Sequence, residues 1–192
     1  MGDAFQQSKK DTLSRPDKSF IGGVDAKIKP LCDQINSLNN FYTTSSCSGR
    51  VVIMVEKKQK DRELFLEVFH DEISSRELKS QLAEILKSKK HKKSLVKFKL
   101  EPCILHVACQ NLVDADKLLK KAQFCGWKKS GLLTLGKKII LELNSTERLE
   151  FPIIKNSKIL VGDEFLEIVV EESNRKLNDS WKKIEKLEKS LK

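Results

Sequence analysis

The stretch Leu95-Val96-Lys97-Phe98-Lys99-Leu100-Glu101-Pro102-Cys103-Ile104-Leu105-His106-Val107-Ala108-Cys109 decides the fold class. In its first part Val96, Phe98 and Leu100 alternate with Lys97 and Lys99, the period-two pattern of a strand with one wet face. Glu101-Pro102 interrupts it, because proline has no N–H to give to a ladder. From Cys103 to Cys109 the chain is apolar apart from His106 and reads as a central strand. Downstream, Asp114 to Cys125 carries Ala115, Leu118, Leu119 and Ala122 at helical spacing, with Gly126 as a C-terminal stop. Strands follow at Gly131–Leu135 and Lys138–Leu143 around Gly136, then at Leu149–Ile154 and Ile159–Val161. Asp163 caps a long terminal helix, residues 163–192, with the apolar line Leu166, Val170, Leu177, Trp181, Ile184, Leu187 and Leu191. The last of these lie among alternating Lys and Glu and could pack on a partner.

Upstream, residues 1–16 are a polar lead-in, with a turn at Ser14-Arg15-Pro16-Asp17, and Gly22-Gly23 is a joint. Val24, Ile28, Leu31, Cys32, Ile35 and Leu38 predict a helix with Asp25 as its cap and Pro30 in its first turns. Phe41–Thr44 and Val51–Val55 predict strands on either side of a small polar turn, and Lys57–Arg62 a charged surface loop. After Leu64–Phe69, the sequence Ser74-Ser75-Arg76-Glu77 is a capping box for a helix that buries Leu78, Leu82, Ile85 and Leu86. The expected fold is α+β: a central mixed β-sheet with flanking helices and a long C-terminal helix, as one domain over residues 1–192. There is no Gly-x-Gly-x-x-Gly and no regular β/α alternation, so a Rossmann-type sheet is not expected.

The 192 residues include 37 Lys and Arg against 27 Asp and Glu, a net charge of +10. At 39% hydrophobic residues the chain can fill a core and is not disordered. No apolar run approaches the roughly 18–20 residues of a membrane span. The polar N-terminus lacks the apolar segment of a secretory signal, so a cytoplasmic protein is expected. Five cysteines without a Cys-x-x-Cys spacing predict small buried thiols rather than a disulfide framework or a metal site. Cys103 and Cys109 share a strand face but sit too far apart to hold one ion.

Seven lysines and no acid occupy residues 87–99, and seven more, again with no acid, residues 117–138. Outside those windows the chain is net negative. The windows suit either solvated lysine-rich faces or the footprint of a polyanion. An anionic membrane is a weaker match, because no aromatic-rich amphipathic helix adjoins them.

Three stretches carry a resemblance. The first runs from Asp17-Lys18-Ser19 through Gly22-Gly23-Val24-Asp25, Pro30-Leu31 and Ile35-Asn36 to Phe41-Tyr42-Thr43-Thr44-Ser45-Ser46-Cys47-Ser48-Gly49-Arg50. The second is Phe98 to Cys109, and the third joins Gly126-Trp127-Lys128-Lys129-Ser130-Gly131 to Ser145-Thr146-Glu147-Arg148 and Phe151-Pro152. Together they resemble the third wybutosine-synthesising protein family from about residue 17 to the C-terminus. The resemblance implies transfer of a methyl group from S-adenosyl-L-methionine to N4 of 4-demethylwyosine, or of its 7-aminocarboxypropyl derivative. It implies phenylalanine tRNA, at the anticodon loop, as the partner, and a fold other than the Rossmann sheet. A monomer or weak dimer with no membrane and no metal is expected. The alternative is a non-catalytic tRNA-binding protein with the same fold. Three positions depart from the family pattern: Gln110 replaces a common Arg, Cys103 a usual Phe, and Phe69 the Trp that precedes the histidine.

Ser45, Ser46, Ser48, Gly49 and Arg50 are the candidates for holding the cofactor. A turn rich in hydroxyls and backbone N–H groups can cradle an anion or a base edge, and Arg50 adds a planar charged fork. The alternative is a turn whose hydroxyls satisfy only local backbone. Cys47 could serve a thiol-dependent enzyme, but amine methylation needs no nucleophilic side chain. His106, alone in an apolar strand, is either a hydrogen-bonded core residue or the group that takes the proton lost from N4. His70, aligned with a family histidine, is an equal candidate, and His91 reads as a surface residue. Tyr42 and Trp127 are candidates for stacking on the substrate base, or else core aromatics. Lys128 and Lys129 suit tRNA phosphates, with Ser130 and Gly131 allowing a close backbone approach.

Overall fold

Pro102 divides the stretch from Leu95 to Cys109 into two strands that belong to different sheets. The computed structural model describes residues 2–15, 23–56, 64–88 and 91–192. In chain order its elements begin α1 (Gly2–Leu13), α2 (Lys29–Ser37), β1 (Phe41–Cys47), β2 (Arg50–Val55), β3 (Phe65–Phe69) and α3 (Ser75–Lys87). They continue β4 (Leu95–Glu101), β5 (Ile104–Cys109), α4 (Leu112–Phe124), β6 (Gly131–Leu135) and β7 (Ile139–Asn144). The last are β8 (Leu149–Lys155), β9 (Lys158–Ile159) and α5 (Asp163–Ser190). The expected loop at Lys57–Arg62, Pro16-Asp17 of the expected turn, Gly22 of the joint and Lys89-Lys90 lie outside the described residues.

The chain forms two compact units. Unit 1 holds residues 1–48, 102–146 and 180–192, and unit 2 holds 49–101 and 147–179. Unit 1 contains a four-stranded sheet in the order β1-β5-β7-β6, and unit 2 a five-stranded sheet in the order β3-β2-β4-β8-β9. The α+β class and the long C-terminal helix hold, but the expected central mixed sheet is two sheets. Every neighbouring pair in both is antiparallel. Strand content follows from local alternation, whereas partner and direction depend on contacts far apart in sequence.

In unit 2, β4 keeps the predicted alternation: Val96, Phe98 and Leu100 are buried, and Phe98 stacks on Phe151 with ring centroids 5.1 Å apart. On the wet face Lys97 binds Glu56 and Glu150 at 2.5 and 3.1 Å, and Lys99 lies 3.3 Å from Glu150. These two lysines of the first basic window are therefore matched by acids. The capping box opens α3 as read: the Ser74 hydroxyl accepts from the Glu77 N–H, and the Glu77 carboxylate accepts from the Ser74 N–H at 2.8 Å.

In unit 1, α2 and α4 pack on the sheet. Asn36 of α2 fastens β1, accepting from the Thr43 N–H at 2.8 Å and donating to the Thr43 hydroxyl at 3.0 Å. The polar lead-in contains a helix that the sequence pattern did not foresee. In α1, Phe5 meets the Tyr42 ring at 5.2 Å, Ser8 hydrogen-bonds the Tyr42 hydroxyl, and Lys9 donates to the Leu38 carbonyl. The end of α5 is also used within the unit: Ile184 and Leu187 are buried, and the Lys183 carbonyl accepts from the Trp127 indole. Among the described residues no helix is long and apolar enough to cross a membrane.

Candidate functional site

The stretch expected as a hydroxyl-rich turn is mostly strand: Ser45, Ser46 and Cys47 end β1 and Arg50 begins β2, because their backbones pair with β5 and β4, so only Ser48 and Gly49 make the turn. Ser48 is 1% exposed, and its N–H and hydroxyl both donate to one carboxylate oxygen of Asp25, at 2.8 and 3.1 Å. Asp25 is therefore not the helix cap expected from sequence. The N-cap of α2 is Ile28, which makes no side-chain cap, and Pro30 fits the first turn because a helix leaves those N–H groups unpaired. Gly49 has φ +99°, a left-handed backbone that favours glycine and lets the chain turn out of β1. Ser46 faces inward and hydrogen-bonds the Cys32 thiol, whose pKa burial pushes up to about 11. In unit 2, the Arg50 Nε donates to Glu101 at 2.7 Å, and its guanidinium lies 5.1 Å from the Phe65 ring.

Unit 1 brings three of the candidate stretches into one row. The register sets Ser45 opposite His106, His106 opposite Glu142, and Glu142 opposite Gly131, across all four strands. Residues directly opposite in antiparallel strands share a face, so this row is about 14 Å of one sheet surface. A bulge between Thr43 and Ser45 shifts β1 into this alignment.

His106 Nε2 lies 3.0 Å from a Glu142 carboxylate oxygen, with the two side chains 25% and 32% exposed. A ring whose Nε2–H is held by a carboxylate presents its Nδ1 lone pair to a proton donor. Where a side chain on Gly131 would begin, no atom of the described residues beyond its chain neighbours lies within 4 Å, so a ligand can come close to the backbone there. The preceding loop is pinned: the Lys129 N–H donates to the Asn144 carbonyl, and Ser130 donates to the Trp127 carbonyl while accepting from the Asn144 N–H. Asn144, two residues beyond Glu142 on the same face, is 7% exposed, and its side-chain oxygen has no hydrogen-bond partner among the described residues. In the adjoining row Tyr42 pairs with Ala108, and there α1 meets the sheet.

The remaining candidates are dispersed. His70 follows β3 in unit 2 and His91 lies in a turn of that unit, whereas His106 belongs to unit 1. Glu101 and His106, five residues apart in sequence, are in different sheets. Tyr42 and Trp127 are fully buried, and both use their polar atoms inside unit 1. Lys128 and Lys129 are exposed and make no ion pair among the described residues. Sequence reasoning missed Glu142, Asn144 and the true role of Asp25. Glu142 did carry a signal: it interrupts the apolar run Ile139–Leu143 as His106 interrupts its own strand.

Residues 6–192 match the family profile described as Methyltransferase TYW3. A protein from Pyrococcus furiosus, named tRNA(Phe) 7-((3-amino-3-carboxypropyl)-4-demethylwyosine(37)-N(4))-methyltransferase 1, is 36% identical over 97% of this chain and 94% of its own. The zebrafish (Danio rerio) tRNA wybutosine-synthesizing protein 3 homolog is 34% identical over 99% of this chain and 75% of its own. A solved structure from Pyrococcus horikoshii superposes with a TM-score of 0.84 at 34% identity, covering 100% of this chain and 97% of that one. A solved Aeropyrum pernix protein shares the fold at a TM-score of 0.73 and 22% identity, covering 87% of this chain and 96% of that one.

Proposed function

The chain belongs to the TYW3 methyltransferase family, and from that premise we propose that it methylates N4 of 4-demethylwyosine, or of its 7-aminocarboxypropyl derivative, at position 37 of phenylalanine tRNA. The methyl donor in this reading is S-adenosyl-L-methionine, and the place of action is the cytoplasm. The observation that carries it is the row Ser45–His106–Glu142–Gly131, which draws residues from all three recognised stretches onto one sheet face.

The cofactor supplies a methyl group already activated on a sulfonium. The protein's work is then to align donor and acceptor, exclude water and receive one proton. Residues of the row, with Asn144 beside it, fit such a ligand. Ser45 offers an exposed hydroxyl, the Asn144 oxygen, without a partner among the described residues, an acceptor suited to an ammonium or a ribose hydroxyl, and Gly131 open space. His106 takes the proton that leaves N4, and Glu142 fixes the ring and stabilises the imidazolium that forms. Ser46 and Ser48 act on the turn from within, through Cys32 and Asp25.

The test supplies labelled S-adenosyl-L-methionine and tRNA from cells that lack this methylation step. Label is expected in the wyosine-type base at position 37. Intact tRNA binding with no transfer would overturn the enzymatic reading.

A further inference from the structure

The hairpin of β6 and β7 has a surface that folding leaves unexplained. β6 is the edge strand of its sheet, and Leu132, Leu133 and Leu135 on it are 45%, 51% and 64% exposed. Natural edge strands rarely show three large apolar side chains to water, because such an edge invites association. Lysines stand at both ends of the strand: Lys128 and Lys129 before it, Lys137 and Lys138 in the turn after it, all exposed. None of the four makes an ion pair among the described residues, and no acid falls between residues 117 and 138. The hairpin is nevertheless well held. The Thr134 hydroxyl donates to the Lys138 carbonyl at 2.6 Å across the turn, and Ser130 and Lys129 fix its base to Asn144.

Of the other described lysines of the basic windows, Lys92, Lys93 and Lys117 are exposed without an ion pair among the described residues, and the rest are engaged. Lys97 and Lys99 meet Glu56 and Glu150, Lys120 meets Asp116, and Lys121 donates to the Ser190 carbonyl. The unmatched charge that the structure describes in residues 117–138 is thus concentrated around the hairpin.

We propose that the β6–β7 hairpin is the element that grips the tRNA substrate, with Lys128, Lys129, Lys137 and Lys138 on phosphates and the β6 leucines against unstacked bases or sugars of a loop. This rests on the functional reading above and extends it to a surface. RNA fits better than a second copy of the chain. Two such edges would oppose like charges, and the shift in register between Leu132 and Thr134 spoils β6 as a template for another strand. An RNA loop offers phosphates to the lysines and exposed base faces to the leucines. Strand rise sets the two lysine pairs roughly 15–20 Å apart, so the grip spans several nucleotides.

The experiment measures binding of the precursor tRNA against salt, with steady-state methylation alongside. It compares the wild type, the quadruple variant Lys128→Gln/Lys129→Gln/Lys137→Gln/Lys138→Gln, and the double variant Leu133→Ser/Leu135→Ser. Each lysine on a phosphate contributes about 0.7 to the slope of log affinity against log salt for single-stranded RNA, so the quadruple variant is expected to lose about 3. Its affinity should then fall about 50-fold less than the wild type's between 50 and 200 mM salt. The loss should appear in KM and not in kcat. The leucine variant should bind several-fold more weakly with its salt slope unchanged, and both variants should keep the wild-type melting midpoint. Wild-type slope and affinity in the quadruple variant, with wild-type methylation intact, would overturn the hairpin assignment and leave the function standing. A wild type that sediments as a dimer and becomes monomeric on leucine replacement, with tRNA affinity unchanged, would also overturn it. A wild type that neither binds nor methylates the tRNA would remove the functional reading itself.

Discussion

Replacing Asp25 by Ala tests how the Ser48–Gly49 turn between β1 and β2 is held. The carboxylate accepts from the Ser48 N–H at 2.8 Å and the Ser48 hydroxyl at 3.1 Å, and Ser48 is 1% exposed. Alanine leaves a buried amide with no acceptor, at a cost of about 1–3 kcal/mol, and the hydroxyl can rotate to recover part of its own loss. The expected total is about 2.5 kcal/mol. Asp25→Asn keeps a carbonyl oxygen in place but loses the charge assistance, so it should cost about 1 kcal/mol. Urea unfolding followed by tryptophan fluorescence is the suitable assay, because both tryptophans, Trp127 and Trp181, are buried in unit 1, which also holds Asp25 and Ser48. With a slope of about 2 kcal/mol per molar urea, Asp25→Ala should lower the midpoint by roughly 1 M and Asp25→Asn by about half that. Ser48→Ala should cost less in the Asp25→Ala background than in the wild type, since the partner is already gone. A midpoint shift below about 0.2 M for Asp25→Ala, or equal losses for Ala and Asn, would refute the reasoning.

Three further outcomes are expected. His106→Ala should lower single-turnover methyl transfer by about 10²–10⁴-fold and Glu142→Gln by about tenfold, while the double variant should be no worse than His106→Ala; near-normal transfer by His106→Ala would exclude it as the proton acceptor. Burial pushes the Cys32 thiol up to about 11, and burial with Asp114 pushes Cys109 up to about 12, from 9.0. The folded chain therefore keeps protons that the unfolded chain releases above pH 9.0, so stability should hold below that pH and decline from there towards pH 12. Urea midpoints at successive pH values measure the decline, and Cys32→Ala with Cys109→Ala should flatten it. Ser74→Ala breaks the capping box of α3 and should cost about 1 kcal/mol, seen as a melting point lower by about 2–4 °C; an unchanged melting point would show that the box contributes nothing.

What was legible in the sequence was local. The alternation of Val96, Phe98 and Leu100, the Ser74–Glu77 box and the Gly126 stop each act within a few residues, and each stands in the structure. The family motifs were equally legible, because residue identity alone carries them. The helix α1 was not, since it is held by a few long-range contacts, chiefly Phe5 and Ser8 on Tyr42, and has no strong apolar face of its own.

The tertiary structure decided which motifs meet. Ser45, His106 and Gly131 are far apart in the chain, and only the antiparallel register puts them in one row with Glu142 between His106 and Gly131. Tertiary packing also buries Tyr42 and Trp127, which composition could not tell from stacking surfaces, and turns Asp25 from an expected cap into the anchor of Ser48. Residue types by themselves determined the family and the net charge of +10. Which lysines keep that charge unmatched depends on which acids folding brings beside them. Lys97 and Lys99 find Glu56 and Glu150, whereas the four lysines of the β6–β7 hairpin find none among the described residues.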